Sequence, residues 1–387
     1  MTQKNNSKLS ALMALFSCLA CAYCIAFPAD VLNIKEILFT IPVALYFLFV
    51  SESVIVPRYI FAYGIIYPIL TIVYSCIRGN EVSSVISYGY EWFILLLVLV
   101  TVACRVDLKK IFFAATYFIA LIIDVVFIFD FLGIIPLGSN PISVFFSNMN
   151  EFQGLGKGIF STFGYSIYYR SCALVLVTYS YLLYKRNYVL CVPIVLSMLV
   201  CGSRANFLMA AFISAAVPLL CTKKPSKKVI VVVLLTVVAF AFLPALLEKM
   251  MALNDLKFER SESIKIADAK VIFSNANSNF LNLLLGTGVG SSFYSPRGVE
   301  MKTTELSYID YFRQAGIFGI IILAAFLIKP VKWLFNNERW LLIGYVCYLI
   351  VAGTNPLLVT STSFMLYVLV YHEYEMGRRI SMERKKI

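Results

Sequence analysis

The sequence predicts an all-α polytopic membrane protein, and three observations carry that prediction. Of 387 residues, 60% are apolar and only 14% charged, with a mean hydropathy of +0.84. Soluble domains sit near 45–50% apolar and about 25% charged, so this chain lacks the charge to cover a water-facing surface. Twelve stretches are apolar enough to be read as membrane spans, which need roughly 20 residues each. The cations, finally, gather in alternate connections between those stretches, as topology demands. Together these exclude a soluble enzyme and a disordered chain.

In chain order the stretches are 9–27, 36–51, 59–77, 88–104, 111–135, 166–184, 188–201, 205–221, 229–247, 306–328, 340–353 and 357–373. The first has no small-residue cleavage site after it and is followed at once by a second span, so it reads as a span rather than a signal peptide. The shortest, 188–201 and 340–353, have to extend into their flanks or pack within the bundle.

Charge then sets the expected orientation. With Lys4 and Lys8 in the cytoplasm, the inside connections collect Arg58; Arg105, Lys109 and Lys110; Lys185 and Arg186; Lys223, Lys224, Lys227 and Lys228; Lys329, Lys332 and Arg339; and the tail from Arg378 to Lys386. These are 20 of the 33 cations, and both termini are expected in the cytoplasm. The net charge of +12 is thereby explained without a nucleic-acid partner. The ten cysteines fall in apolar stretches and read as small buried hydrophobes rather than a disulfide framework. Cys18, Cys21 and Cys24 line one helix face, with no His or carboxylate beside them to complete a metal site.

The chain from 1 to 387 reads as one integral membrane domain. Two outside segments are too long for plain connectors. One, 136–165, is rich in Gly, Ser and Asn. The other, 248–305, is the large loop; between Leu256 and Phe273 it places Ile264, Ala267, Val271 and Ile272 at helical spacing opposite Glu259, Glu262 and Asp268. That pattern predicts an amphipathic helix at the outer interface. No internal repeat is visible, which counts against an inverted-repeat transporter.

Outside the cytoplasmic loops, each charged residue calls for its own explanation. Arg204, in Cys201-Gly202-Ser203-Arg204, occupies a tight outer turn between two spans; it either snorkels to headgroups or serves a site, as ionisable groups near the membrane do. Arg260 stands between Glu259 and Glu262, where a solvated helix face also accounts for it. Gly286-Thr287-Gly288-Val289-Gly290 permits a tight turn and close backbone approach, but lacks the βαβ setting of a dinucleotide site. After Arg297 come Glu305, Tyr308, Phe312 and Arg313, which share roughly one helix face at the mouth of a span. Arg313 is either a site residue or the i, i+3 partner of Asp310. Asn355, before Pro356, marks a turn and can also face a polar cavity. Tyr165, Tyr168, Tyr169, Tyr294 and Tyr308 suit either an interfacial aromatic belt or stacking on sugar rings.

In this order, the features resemble the superfamily of O-antigen polymerases and O-antigen ligases, polytopic glycosyltransferases of the bacterial envelope. The resemblance rests on Ser203-Arg204, Arg260, Gly286-x-Gly288-x-Gly290, Gly316-Ile317-Phe318-Gly319 and Thr354-Asn355-Pro356, set on the twelve-span layout. It implies a GT-C-like bundle of about 12 helices in the bacterial inner membrane, with 136–165 and 248–305 as periplasmic loops. The ligases usually carry a histidine where Glu305 stands, and the single histidine here, His372, falls at the expected cytoplasmic end of the last span. That favours the polymerase side.

The implied substrate is an undecaprenyl-diphosphate-linked oligosaccharide, whose glycan would be moved onto the sugar end of another lipid-linked repeat in lipopolysaccharide synthesis. Arginine suits the leaving diphosphate, because its planar donors grip phosphate oxygens in pairs. Arg204 and Arg260 are assigned to that task, with Arg297, Arg313, Tyr308 and Asn355 as substrate-binding residues. Glu305 is assigned as general base, in a partly desolvated site that suits it to the task. No D-x-D motif occurs, so no metal or other cofactor is expected. Membrane lipids are partners, and the resemblance adds a chain-length regulator and a flippase of the same pathway. Two alternatives stay open: a ligase that transfers the glycan to lipid A–core, and a transporter of the lipid-linked oligosaccharide. Asp124 and Asp130, in the fifth stretch, are the intramembrane acids the latter would call on.

Overall fold

A chain in hydrocarbon must satisfy its backbone polar groups internally, which leaves helices as the open-ended choice. A computed structural model describes residues 3–49, 57–157, 164–221, 255–277 and 279–384, with side chains described from Lys8 to Met382 except 255–262. The predicted span 229–247 and Lys223, Lys224, Lys227 and Lys228 lie outside the described residues. The other eleven predicted stretches are helical along all or most of their length.

The helices are α1 (Gln3–Ala26), α2 (Lys35–Phe49), α3 (Arg58–Ile77), α4 (Val82–Ala103), α5 (Leu108–Phe131), α6 (Pro141–Asn148), α7 (Cys172–Tyr184), α8 (Tyr188–Val200), α9 (Arg204–Cys221), α10 (Asp255–Asn277), α11 (Phe280–Leu285), α12 (Ser307–Ile328), α13 (Val331–Asn337), α14 (Arg339–Gly353) and α15 (Ser361–Arg384). Among the described residues, six helical segments are long and apolar enough to cross a membrane: Lys8–Ala26, Arg58–Ile77, Val82–Ala103, Leu108–Phe131, Arg204–Cys221 and Ser307–Asn337. Trp92 of α4 ties the bundle together. Its ring lies 4.9 Å from Tyr67 of α3, 5.4 Å from Phe326 of α12 and 5.1 Å from Phe364 of α15, aromatic contacts that add to plain burial.

Two short hairpins amend the all-α expectation. Strand β1 (Phe152–Lys157) pairs antiparallel with β2 (Tyr165–Tyr169), and β3 (Phe293–Tyr294) with β4 (Glu300–Met301). The span expected from 166 therefore starts only at Cys172. Alternation explains why: Ile167 and Tyr169 turn inward and are fully buried, while Ser166 and Tyr168 lie on the other face, a period of two rather than 3.6.

Loop contacts sort the helix termini into two ends. At one end the backbone N–H of Ala29, after α1, donates to Glu151 at 3.1 Å, Tyr165 donates to Asp130 near the end of α5 at 2.7 Å, and Ser307 of α12 donates to the Asn355 carbonyl after α14. At the other, Lys109 bridges Glu338 at 3.1 Å and Glu373 at 2.8 Å, Lys329 lies 4.1 Å over the Tyr59 ring, and Arg339 reaches the Leu220 carbonyl at 3.2 Å. Arg58, Lys109, Lys185, Lys329, Arg339 and Arg378 lie at this second end, and the described parts of both long loops at the first. His372 is buried beside Thr101 at 3.1 Å, about 16 Å along α15 from its first residue at 1.5 Å per residue.

The feature that positions the candidate site is a break in α12. Gly316 adopts φ 64°, ψ −167° in mid-helix. The break frees the carbonyls of Arg313 and Gln314, which accept the N–H groups of Thr287 at 2.8 Å and Gly288 at 3.0 Å. The glycine-rich turn thus docks backbone to backbone. A Cβ on Gly286 would sit 2.3 Å from the Gln314 carbonyl oxygen, and one on Gly316 2.4 Å from the Leu284 carbonyl. Asn80 clamps the turn from the other side through the carbonyls of Thr287 at 3.1 Å and Val289 at 3.0 Å. The close approach the glycines permit is to the chain's own backbone.

Candidate functional site

The loop from α10 to α12 folds over the first turn of α12, where Arg313 lies buried. Its side chain is 3% exposed. Nε donates to Asp310 Oδ1 at 2.9 Å, Nη1 to the Ser291 carbonyl at 2.9 Å and its hydroxyl at 2.8 Å, and Nη2 to the Lys302 carbonyl at 2.8 Å. A buried guanidinium is tolerated only when its donors are satisfied in this way. Arg313 is therefore the pin that fastens 291–302 to α12, rather than a group offered to a ligand. Gln314 completes the arrangement by donating to Asp310 Oδ2 at 3.0 Å. Lys302, whose carbonyl serves Arg313, sends its ammonium to Glu81, and that hydrogen bond pulls the Glu81 carboxyl down to about 2.

Beside this pin, Glu305 and Arg297 line one cavity of about 150 Å³ together with Lys265, Asp268, Thr303 and Thr304. Lys265 bridges Glu305 at 2.8 Å; Arg297, 42% exposed, lies 3.5 Å from Asp268. Asp268 is 4% exposed and also accepts from Ser295 at 2.6 Å. The inward stripe of α10 thus runs through Asp268, Ile272 and Ala276, whereas the sequence pattern puts Asp268 on the outward face. Two cations paired with two carboxylates make a wall that can hold an anion at Arg297 and Lys265 while Glu305 stays accessible. Glu305 is 58% exposed, so the water-poor setting expected around it is not the one it occupies here.

A second cavity, also about 150 Å³, shares Thr303, Thr304 and Pro356 with the first and reaches inward to Tyr88, Ser307, Asp310 and Gln314. A hollow of about 340 Å³ lies at the opposite end, between Tyr184, Cys221, Arg339 and Trp340, far from Glu305.

The remaining predicted residues divide. Asn355 is half-buried at the end of α14, donating to the Val351 carbonyl at 3.1 Å, with its own carbonyl bound by Ser307; it shapes the cavity rim next to Pro356. Tyr308 packs its ring over Gly353 and donates to the Leu349 carbonyl at 3.1 Å, so it fastens α12 to α14. Arg204 opens α9 and is exposed. Because α9 packs along α14, it shares the loop-bearing end but does not line either cavity. Arg260 lies in α10, and its side chain falls outside the described residues. Tyr165 and Tyr169 bond to Asp130 and the Ala26 carbonyl, while Tyr294 is 70% exposed. Lys265, Asp310, Gln314 and Tyr88 are not among the site residues the sequence predicts. For Asp310 and Gln314 a signal existed, since Asp310-x-x-Arg313-Gln314 pairs at i+3 and i+4.

Among the described residues, no three or more His, Cys, Asp or Glu side chains converge as metal ligands would. Fold and site define an α-helical membrane protein with a charged cavity at its loop-bearing end. Comparison with family models and with curated proteins finds no match.

Proposed function

We propose that the protein is a glycosyltransferase of the inner bacterial membrane that polymerises undecaprenyl-diphosphate-linked oligosaccharide repeats, as O-antigen polymerases do. In this reading it has about twelve GT-C-like spans, both termini cytoplasmic and the loop-bearing end periplasmic. The observation that carries it is the meeting of Arg297, Lys265 and Glu305 in one cavity at that end. The acceptor hydroxyl forms a bond to the donor's anomeric carbon, the bond from that carbon to the diphosphate oxygen breaks, and the hydroxyl proton passes to the Glu305 carboxylate once Lys265 moves off it. Arg297 and Lys265 stabilise the departing diphosphate, with Arg204 and Arg260 gripping the lipid-linked phosphate at the membrane edge. A positioned base contributes on the order of 10²–10⁴-fold. A chain-length regulator and a flippase are the expected partners.

The test is reconstitution of the purified protein in liposomes with the lipid-linked repeat and no ion gradient. Lengthened glycan is expected, falling about 10²–10⁴-fold in Glu305→Gln. Passage of the repeat across the bilayer without lengthening would instead identify a transporter and overturn the reading.

A further inference from the structure

Of the ten cysteines, two meet at the loop-bearing end in a setting that the mechanism above does not use. Cys172 opens α7 and Cys201 caps the end of α8. Both are fully buried thiols, in hydrogen-bond contact with each other. The Asn206 amide of α9, also fully buried, donates through one Nδ2 to Cys172 Sγ at 3.2 Å and Cys201 Sγ at 3.7 Å. A thiol sulfur is a weak acceptor, so an amide withdrawn from water to serve two of them marks the sulfur pair as what this corner is built around. Tyr168 of β2 brings its hydroxyl to Cys172 as well. Gly202, next after Cys201, packs so closely on the same strand that a Cβ there would stand 2.8 Å from Ser166 Oγ. The pair thus lies where β2, α7, α8 and α9 converge. Cys18, Cys21 and Cys24, by contrast, follow one another along α1, and a bond among them would join no two elements.

We propose that Cys172 and Cys201 become joined by a disulfide that staples the Ser203–Arg204 turn to the start of α7 on the outer side of the membrane. Each sulfur gives up its hydrogen and an S–S bond of about 2.05 Å forms. Two protons and two electrons pass to a disulfide-bearing oxidant, which leaves as a dithiol; such oxidants act outside the cytoplasm. Because the folded bundle leaves neither sulfur exposed, exchange takes place before Asn206 closes over the pair, and the finished bond is shielded from reductants. The cross-link closes the α7–α8 hairpin and holds the turn that presents Arg204 against β2. That this end faces an oxidising compartment rests on the orientation taken in the polymerase reading.

Thiol counting on the full chain tests it. Cells are quenched in trichloroacetic acid, which stops thiol exchange, and the denatured protein is treated with maleimide-polyethylene glycol with and without prior reduction. Without reductant the chain is expected to take two fewer labels than its ten cysteines, and with reductant all ten. Digestion of the unreduced protein should yield fragments joined through Cys172 and Cys201. Cys172→Ala and Cys201→Ala should each make the number of labels indifferent to reductant; if either fails to accumulate, the wild-type counts still decide. Ten labels without reductant, or a joined pair that lacks Cys172 or Cys201, would overturn the bond. Orientation is read separately. Tyr294→Cys, at a position 70% exposed at the loop-bearing end, should react with a membrane-impermeant maleimide in intact spheroplasts. Reaction there with every native thiol free sinks the bond and leaves the orientation standing; a bond found while Tyr294→Cys stays protected does the reverse, and takes the polymerase reading with it.

Discussion

Gly316→Ala is the sharpest perturbation of the framework around the site. Any side chain at φ 64°, ψ −167° is held in a conformation essentially reserved for glycine, at about 1–2 kcal/mol. The new methyl would also stand 2.4 Å from the Leu284 carbonyl and 2.5 Å from the Gly286 nitrogen. Both are backbone atoms, so the 284–288 turn has to retreat and give up the hydrogen bonds from Thr287 and Gly288, each worth about 0.5–1.5 kcal/mol. The total is about 2–5 kcal/mol. Gly298→Ala is the control: its φ is 73° but nothing lies within 4 Å of an added Cβ, so only the first contribution of about 1–2 kcal/mol applies. In detergent, followed by size-exclusion of heated samples, Gly316→Ala should melt on the order of 4–10 °C below wild type and Gly298→Ala about 2–4 °C below, at about 2 °C per kcal/mol for a chain of this size. A Gly316→Ala protein no less stable than Gly298→Ala would refute the docking of the glycine turn into the helix break.

Three further outcomes are expected. Arg313→Met leaves Asp310 buried without its cation and should lower stability by about 3–5 kcal/mol, read as loss of monodisperse protein; adding Asp310→Asn should recover part of it, and strict additivity would count against the pair. Burial pushes the Glu151 carboxyl up from 4.5 to about 7 against the opposing hydrogen bond from Ala29. The folded state therefore holds this proton more tightly than the unfolded one, and the stability it contributes is full below about pH 4.5 and lost as pH rises through about 7. Glu151→Gln should flatten the melting temperature between pH 5 and 8, and an unchanged slope would place the titration elsewhere. Glycan lengthening in the reconstituted system should survive a chelator, since arginine and lysine supply the positive charge; loss with chelator and recovery with magnesium would contradict it.

The helices were legible because a membrane favours long apolar helices: eleven predicted stretches in the described residues are helical along all or most of their length, and six helical segments there are long and apolar enough to cross. Strand β2 escaped because Tyr165–Tyr169 reads as the start of an apolar run, and only pairing with 152–157 distinguishes a period of two from a buried helix. Both glycine motifs were visible, but their mutual docking was not, since Gly286 and Gly316 lie far apart in the chain. The sequence pattern turns the apolar face of α10 toward lipid; in the protein that helix packs on α11 and α12, and takes the Asp268 carboxylate inward to Ser295 and Arg297, in the turn between β3 and β4. Tyr88 has no sequence signal of any kind, being one tyrosine among 24.

The crossing of Gly286 over Gly316 also binds the chain's descendants. A substitution at either position strikes the backbone of the other's strand, and no change at the second can make room for it, since neither has a side chain left to remove. The two positions are therefore constrained as a unit: a lineage either keeps both glycines or abandons the docked turn altogether. A search for distant kin is better guided by that linked pair, with Asn80 as its third member, than by overall resemblance among sequences that are mostly interchangeable leucine, isoleucine, valine and phenylalanine.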